Sequence, residues 1–424
     1  MTASAPPLAT WAGTHTFTAP RLIEATSVEQ VQDAVRTRSG RVRALGTRHS
    51  FNDLADTDGT LISVTAIDPR PVLDESARTV TVGGGTRYGV LAAWLEERGW
   101  ALHNMGSLPH ISVAGATATG THGSGVTLGN LSTAVRALEF VAADGELRTV
   151  TAADPDFAGY VVHLGAIGIV TRLTLAIEPS YQVRQDIYAG LPWEELLGDL
   201  EGVMSSGYSV GVFTHWTTPV VETVLRKTRL GLGTDPDLPA RWRGAEAAER
   251  LTIIDTDGWT DAGGVAGPWL LRLPHFRLDR TPSAGDEIQS EYFVDRRQGA
   301  DALRAVRELG ARIDPHLILS ELRSMAADDL WLSGAEGRET LAIHFTWKPH
   351  PDAVAGLLPD IERALAPFAA RPHWGKWHRF DAERIDAVFP RAADARNLFE
   401  RVDPEGVFRS RHLERLGLTP PPVE

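Results

Sequence analysis

Cysteine is absent from all 424 residues and lysine nearly so: Lys227, Lys348 and Lys376 stand against 39 arginines. The first absence removes disulfides, thiol nucleophiles and thiolate metal ligands together. The second is a skew that writes arginine wherever a generic positive charge will do, and it gives each remaining lysine some weight as a position wanting an amine. Positive charge as a whole is in deficit, with a net charge of −13, so the basic surface that a nucleic-acid partner needs is missing. No apolar run approaches the ~20 residues of a membrane span. The opening MTASAPPLATWAG has neither a basic start nor an apolar stretch, so no secretory signal is read there. Internal repeats and low-complexity tracts are lacking too. The expectation is a cytoplasmic, monomeric enzyme of two or three domains, with neither a membrane nor a nucleic-acid partner.

What is present begins as strand, helix, strand. Arg21–Ala25 reads as a short strand, Ser27 with Gln30 as a capping box, Val28, Val31 and Val35 as a helical stripe stopped by Gly40, and Val42–Leu45 as the next strand. A second unit follows, with a strand at Arg78–Val82 and a helix marked by Val90, Leu91, Trp94 and Leu95. Ala134–Ala142 and Glu146–Thr151 flank Asp144-Gly145 as a hairpin, and Gly165–Ala176 closes this half with a β-branched strand. Residues 1–179 are therefore expected to form an α+β, nucleotide-sized domain. A second domain is expected over 180–380, with a long helix over Gly299–Ile313, and the 381–424 segment is expected to return to the first.

Two glycine-rich stretches differ in weight. Val82–Gly89 (VGGGTRYG) lacks the dinucleotide-binding spacing and an acidic residue ending a second strand, and reads as a plain tight turn. His103–Gly125 interleaves Gly106, Gly115, Gly120, Gly123 and Gly125 with small hydroxyl residues, while Leu108, Ile111 and Val113 anchor it. Small side chains admit a ligand close to the backbone, and free N–H groups cradle phosphate oxygens. A phosphate-bearing cofactor is the expectation there. Upstream, R-A-L-G-T-R-H-S-F-N-D places His49 beside a tight turn at the end of a buried strand, with no metal-ligand spacing around it.

In the second half, H-L-I-L-S-E-L-R puts Leu317, Leu319, Glu321 and Arg323 on one face of a strand, and T-L-A-I-H-F-T-W-K puts Thr340, Ala342, His344, Thr346 and Lys348 on one face of another. A solvent-facing sheet with an ordinary ion pair fits that pattern equally well. R-P-H-W-G-K-W-H then sets Lys376 in a glycine–tryptophan turn after His373, where a structural tryptophan cluster is the plain alternative.

R-A-L-G-T-R-H-S-F-N-D followed by G-A-T-A-T-G-T-H-G-S-G resembles the FAD-binding domain of the vanillyl-alcohol oxidase flavoprotein family. Glu321–Arg323 and His373–Lys376 are similar to its sugar-alcohol and aldonolactone oxidoreductase branch, and S-L-P-H-I-S-V-A-G most resembles the alditol oxidases; the likeness runs over nearly the whole chain. It implies a two-domain α+β fold of that type, its substrate domain a mixed or antiparallel sheet flanked by helices. It also implies FAD joined covalently to His49, a residue suited to attack as a neutral imidazole. The second, cysteinyl flavin link of one related branch is excluded by the missing cysteine. The implied cofactor contacts are Ala44, Leu45, Gly46, Thr47, Arg48, Ser50, Ser107, Ser112, Gly115, Ala118, Thr119, Gly120, Thr121, Val170 and His373.

The resemblance further implies a polyol substrate held by Ser107, Glu321, Arg323, Thr346 and Lys376, residue types that match several hydroxyls with several donors and acceptors. Lys376, Arg323 and His344 would act catalytically, with the proton acceptor left open between Lys376 and His344. Oxygen is the expected electron acceptor: no docking motif for another carrier is seen, and Gly106 leaves room beside the flavin. An aldonolactone oxidase or dehydrogenase of the same branch is the near alternative. A metal hydrolase built on His344, His350, His373 and His378 is disfavoured, because the H-x-x-x-x-H spacing suits no single helical face and a Trp-Gly pair interrupts it. A non-catalytic binding module has no use for a covalent cofactor. No metal site is expected.

Overall fold

A computed structural model describes residues 8–68, 70–232, 239–251, 258–280 and 286–421. The N-terminal half is built on two sheets. β1 (Arg21–Glu24), β2 (Val42–Leu45) and β3 (Thr60–Ser63) form a parallel sheet in the order β1-β3-β2. The helix Val28–Arg36 between the first two strands starts as its sequence requires: Ser27 Oγ accepts from Gln30 N at 3.3 Å, and Val31 and Val35 are fully buried. β4 (Val72–Asp74), β5 (Thr79–Gly83), β6 (Val135–Val141), β7 (Leu147–Thr151) and β8 (Ile169–Ala176) form an antiparallel sheet, order β4-β5-β8-β6-β7. The helix Val113–Ala118, cut from the long glycine run, lies between this sheet and the cavity described below.

The second half centres on a ten-stranded antiparallel sheet. Its main strands are β9 (Gln182–Pro192), β10 (Ser209–Thr214), β11 (Val220–Arg229), β12 (Ile288–Asp295), β13 (Leu317–Met325), β14 (Thr340–Trp347) and β15 (Arg371–Pro372), in the order β9-β11-β10-β13-β14-β12-β15. Helices Gly299–Arg307 and Pro351–Leu365 bury Leu303, Val306, Leu358 and Ile361 in the same core as Leu341, Ile343 and Phe345 of β14. The opposite face of the central strands is polar and turns to the N-terminal half.

Two local expectations are corrected. The expected helix over Gly299–Ile313 breaks after Arg307 and resumes at Gly310–Ile313, where Gly310 backs onto Trp216 so closely that a Cβ would lie 3.0 Å from it. Strict alternation in β13 fails at its start: a register shift between Leu317 and Leu319 sends Leu317 into the main core beside Leu322, away from the face of Glu321. The C-terminal segment packs on the first strands, with Val42 N donating to Val407 O at 2.8 Å and Arg415 bonded to Asp53 at 3.0 Å. Among the described residues no helix is long and apolar enough to cross a membrane.

Candidate active site

A cavity of about 780 Å³ runs between the two halves, at the upper end of the ~300–1,000 Å³ typical of small-molecule sites. One end is walled by the loop after β2. Arg43, 2% exposed, holds that loop by donating to the carbonyls of Leu54, Leu164, Gly165 and Phe408 at 2.7–2.9 Å. Beyond it, the backbone N–H groups of Gly46 to Ser50 find no acceptor among the described residues. Arg48 has φ 65°, a left-handed conformation costing a non-glycine residue ~1–3 kcal/mol, and Trp11 N braces it by donating to Arg48 O at 2.7 Å. Consecutive free N–H groups around a left-handed residue form an anion nest, which fits the phosphates of FAD.

Across the cavity, Ser112 N donates to Thr47 Oγ1 at 3.2 Å, tying the glycine run to the loop. Gly84 also joins this wall, where a Cβ would stand 2.7 Å from Val170 O; the stretch read as a plain turn is part of the cofactor chamber. His49 stacks on Trp11, with ring centroids 5.4 Å apart, and its Nδ1 lies 3.1 Å from Thr47 Oγ1. Burial pushes its imidazole down to about 4, and His110, Lys376, Arg87 and Arg48 add repulsion. It is therefore neutral at physiological pH.

The other end is built by the polar face of the large sheet. Register pairs Phe213 with Glu321, Glu321 with His344, and His344 with Glu291, so these four side chains form one row across β10, β13, β14 and β12. Glu321 Oε2 accepts from Arg323, which also donates to Ser107 Oγ, while Glu321 Oε1 accepts from His275 Nε2 at 2.8 Å. His275 is stacked on Trp259 at 5.0 Å. Burial works to raise the Glu321 carboxyl, but Arg323 and His275 outweigh it and hold the group well below the usual carboxylate range. Its charge is fixed.

Lys376 Nζ donates to Gln289 Oε1, and His344 Nε2 lies 3.2 Å from the same oxygen. A lysine can only donate, so the amide atom facing it is the oxygen, and His344 must carry its proton on Nε2. That leaves His344 Nδ1 as a buried lone pair with no protein partner. Burial, partly opposed by Glu291 and reinforced by Lys376 and Arg323, pushes His344 down to about 3. Burial also lowers the Lys376 ammonium, against the pull of Glu291 and Glu287.

The cavity brings together every candidate named from the sequence except Gly120, which stands off the wall at φ 65° and turns the chain after the helix Val113–Ala118. Of the other lysines, Lys227 is buried behind Glu321 and donates to Leu273 O at 2.5 Å, and Lys348 donates to Pro315 O at 3.0 Å outside the cavity. The sheet face is buried, so the solvent-facing alternative for Glu321 and Arg323 fails. Sequence reasoning missed Trp11, Gln289, Glu291 and His275. His122, Glu291 and His373 also lie close enough to suggest a metal site. However, His373 Nδ1 accepts from Gly375 N at 3.0 Å, so its Nε2 carries the proton and offers no lone pair to a cation.

Residues 19–151 match the model of an FAD binding domain, and residues 284–416 match that of D-arabinono-1,4-lactone oxidase. An alditol oxidase of Streptomyces sp. (strain IKD472 / FERM P-14339) is 42% identical, covering 96% of this chain and 98% of that protein. An L-gulono-1,4-lactone dehydrogenase of Mycobacterium tuberculosis is 29% identical over the same shares. Among solved structures, a solvent-stable cholesterol oxidase superposes with a TM-score of 0.78 at 16% identity, covering 96% of this chain and 97% of that one, which bears on the fold alone. The chain belongs to the vanillyl-alcohol oxidase flavoprotein family, in its sugar-alcohol and aldonolactone oxidoreductase branch beside the alditol oxidases.

Proposed function

We propose that the protein is an FAD-dependent oxidase of neutral polyols. It converts the terminal hydroxyl of an alditol such as xylitol, sorbitol or glycerol to the aldehyde, reduces O2 to hydrogen peroxide, and holds its FAD covalently through His49. The observation that carries this reading is the apposition of two hydrogen-bonded groups on one cavity wall: Ser107–Arg323–Glu321 and Lys376–Gln289–His344. The Gly46–Ser50 nest and the wall of Ser112, Gly115, Ala118 and Thr119 would hold the FAD phosphates, and a neutral His49 would offer the ring nitrogen for the link.

FAD, when bound, would supply the hydride acceptor and the route for the electron pair to O2. The chain's own residues hold the polyol and move its proton. Glu321 accepts from the substrate hydroxyls, Arg323 and Lys376 donate, and Ser107 and Thr346 do both. Each buried hydroxyl left without a partner would cost ~1–3 kcal/mol, which is why so many polar groups line one small chamber. As the reacting hydroxyl loses its proton, Arg323 and Lys376 stabilise the developing alkoxide. The proton acceptor belongs to the Lys376–Gln289–His344 group on the chamber wall. The match of residues 284–416 to a lactone oxidase model favours a second reading, oxidation of an aldonolactone in the same chamber.

Assaying peroxide release from the purified protein with a panel of alditols and aldonolactones tests the choice. Alditols are expected to lead; a lactone turned over faster than every alditol would reverse it. Fluorescence retained by the polypeptide on an acid-denaturing gel is the expected sign of the covalent link.

A further inference from the structure

Ser107 comes from the glycine run of the first half and Glu321 from β13 of the second, and His275 is bonded to both. Its backbone N, with that of Phe276, donates to Ser107 O at 3.1 Å, and its Nε2 lies 2.8 Å from Glu321 Oε1. The residue is buried. Its ring is stacked on Trp259, with centroids 5.0 Å apart and planes 8° apart, and is met edge-on by Phe213 at 5.4 Å. Thr260 secures the main chain here: its N donates to His275 O at 2.8 Å and its Oγ1 to Pro274 O at 2.6 Å. Burial, against the pull of Glu321, pushes the His275 imidazole down to about 4, so the ring is neutral. Its one proton sits on Nε2, because the Glu321 carboxylate can only accept, while Nδ1 meets no partner among the described residues.

The terminal torsion of a glutamate is broad, so a carboxylate held at one oxygen still turns about its axis. Arg323 takes Oε2 and reaches on to Ser107 Oγ. His275 takes Oε1, and the two donors together fix the carboxylate plane. Gly211 on β10 leaves the room this needs, since a Cβ there would stand 3.1 Å from Oε1. We infer that His275 is a positioning residue for the substrate, locking the Glu321 carboxylate and fixing its reach from Ser107 so that both meet hydroxyls of one bound molecule. The inference rests on the assignment of Ser107 and Glu321 to the substrate. Because His275 acts through Glu321, its loss is felt as weaker substrate binding more than as a slower chemical step.

The test is a double-mutant cycle between His275→Phe and Glu321→Gln, read by steady-state kinetics of the flavin-loaded holoenzyme with xylitol. Phenylalanine keeps a ring to stack on Trp259 and removes the donor. His275→Phe should raise KM by about tenfold, the size of one hydrogen bond to a charged group, with kcat within about threefold of wild type. In Glu321→Gln, Arg323 claims the amide oxygen and no carboxylate is left to orient, so adding His275→Phe should raise KM by less than about twofold more. His275→Gln, whose amide N–H reaches to a similar place, should restore most of the wild-type KM. If His275→Phe does not accumulate with flavin, His275→Gln against His275→Met makes the same comparison at similar length, with and without the donor. Effects on KM that multiply in full, a loss confined to kcat, or an unchanged KM without the donor would each overturn the proposal. A merely structural role gives multiplying effects and no rescue by glutamine. The panel of alditols and aldonolactones is run first on the wild type. A failure of the polyol reading shows there as a lactone preference, and the cycle is then read with that lactone.

Discussion

Replacing Lys376 by methionine isolates the ammonium from the side chain's bulk. Nζ donates to Gln289 Oε1 and sits 4.8 Å over the Phe51 ring, within reach of the pull of Glu291 and Glu287. Methionine keeps an unbranched apolar chain one atom shorter, losing Nζ and its place over Phe51, and Gln289 Oε1 keeps His344 as a donor, so no buried acceptor is stranded. Stability should therefore change little. The chemical step should not survive as well. Losing one charged partner in a site shielded from water costs ~2–5 kcal/mol, a factor of about 30 to several thousand in kcat/KM. The loss should fall on kcat as much as on kcat/KM if the ammonium acts on the alkoxide rather than on the bound alcohol. Anaerobic stopped-flow of flavin reduction by xylitol reads both constants. A reduction rate within about twofold of wild type, with the flavin spectrum intact, would refute the role given to Lys376.

His49→Ala should leave the flavin extractable by acid, read as loss of in-gel fluorescence, while the nest of Gly46–Ser50 still allows non-covalent binding. Gly106→Ala should fold normally, since its Cβ would meet nothing nearer than 3.6 Å, and should slow reoxidation by O2 by about tenfold or more with little effect on reduction. Glu321→Gln should raise KM for polyols more than it lowers kcat, because it removes an acceptor from a site that keeps its cations; steady-state kinetics separates the two. Asp53 tests stability: burial opposes it, but bonds from His412 and Arg415 depress its carboxyl. Such a group stabilises the fold above its unfolded value near ~3.9 and ceases to do so as pH falls through the lower folded value. Asp53→Asn should therefore melt earlier than wild type at pH 7, with the gap closing below about pH 4.

The parts of the site legible in the sequence are those where one residue breaks a local pattern. His49 stands out because an imidazole at a strand-ending turn has no local partner. Glu321–Arg323 and His344–Thr346 emerge from two-residue alternation, which strand geometry enforces. Alternation also misplaced Leu317, because a bulge leaves no mark in H-L-I-L. Gln289 and Glu291 carry the same alternating signal in I-Q-S-E-Y-F-V-D, but nothing local separates them from a solvent-facing edge. Only the register of β12 against β14, set by folding, puts them opposite Thr346 and His344. Trp11 and His275 reach the site from distant segments through stacking, on His49 and Trp259 respectively, and no spacing records such contacts. Gly84 fits no dinucleotide fingerprint; its close approach to Val170 O comes from a strand distant in sequence, which no local spacing records.

The most direct test of the central claim is a double-mixing stopped-flow experiment on the purified holoenzyme. Xylitol is first mixed anaerobically, and the reduced protein is then met with oxygenated buffer. The account predicts bleaching of the flavin absorbance by the alditol, and reoxidation by O2 faster than steady-state turnover, with one peroxide formed per flavin reoxidised. No bleaching by any alditol would contradict the substrate assignment. Reoxidation slower than the turnover reached with an artificial acceptor would make the protein a dehydrogenase instead.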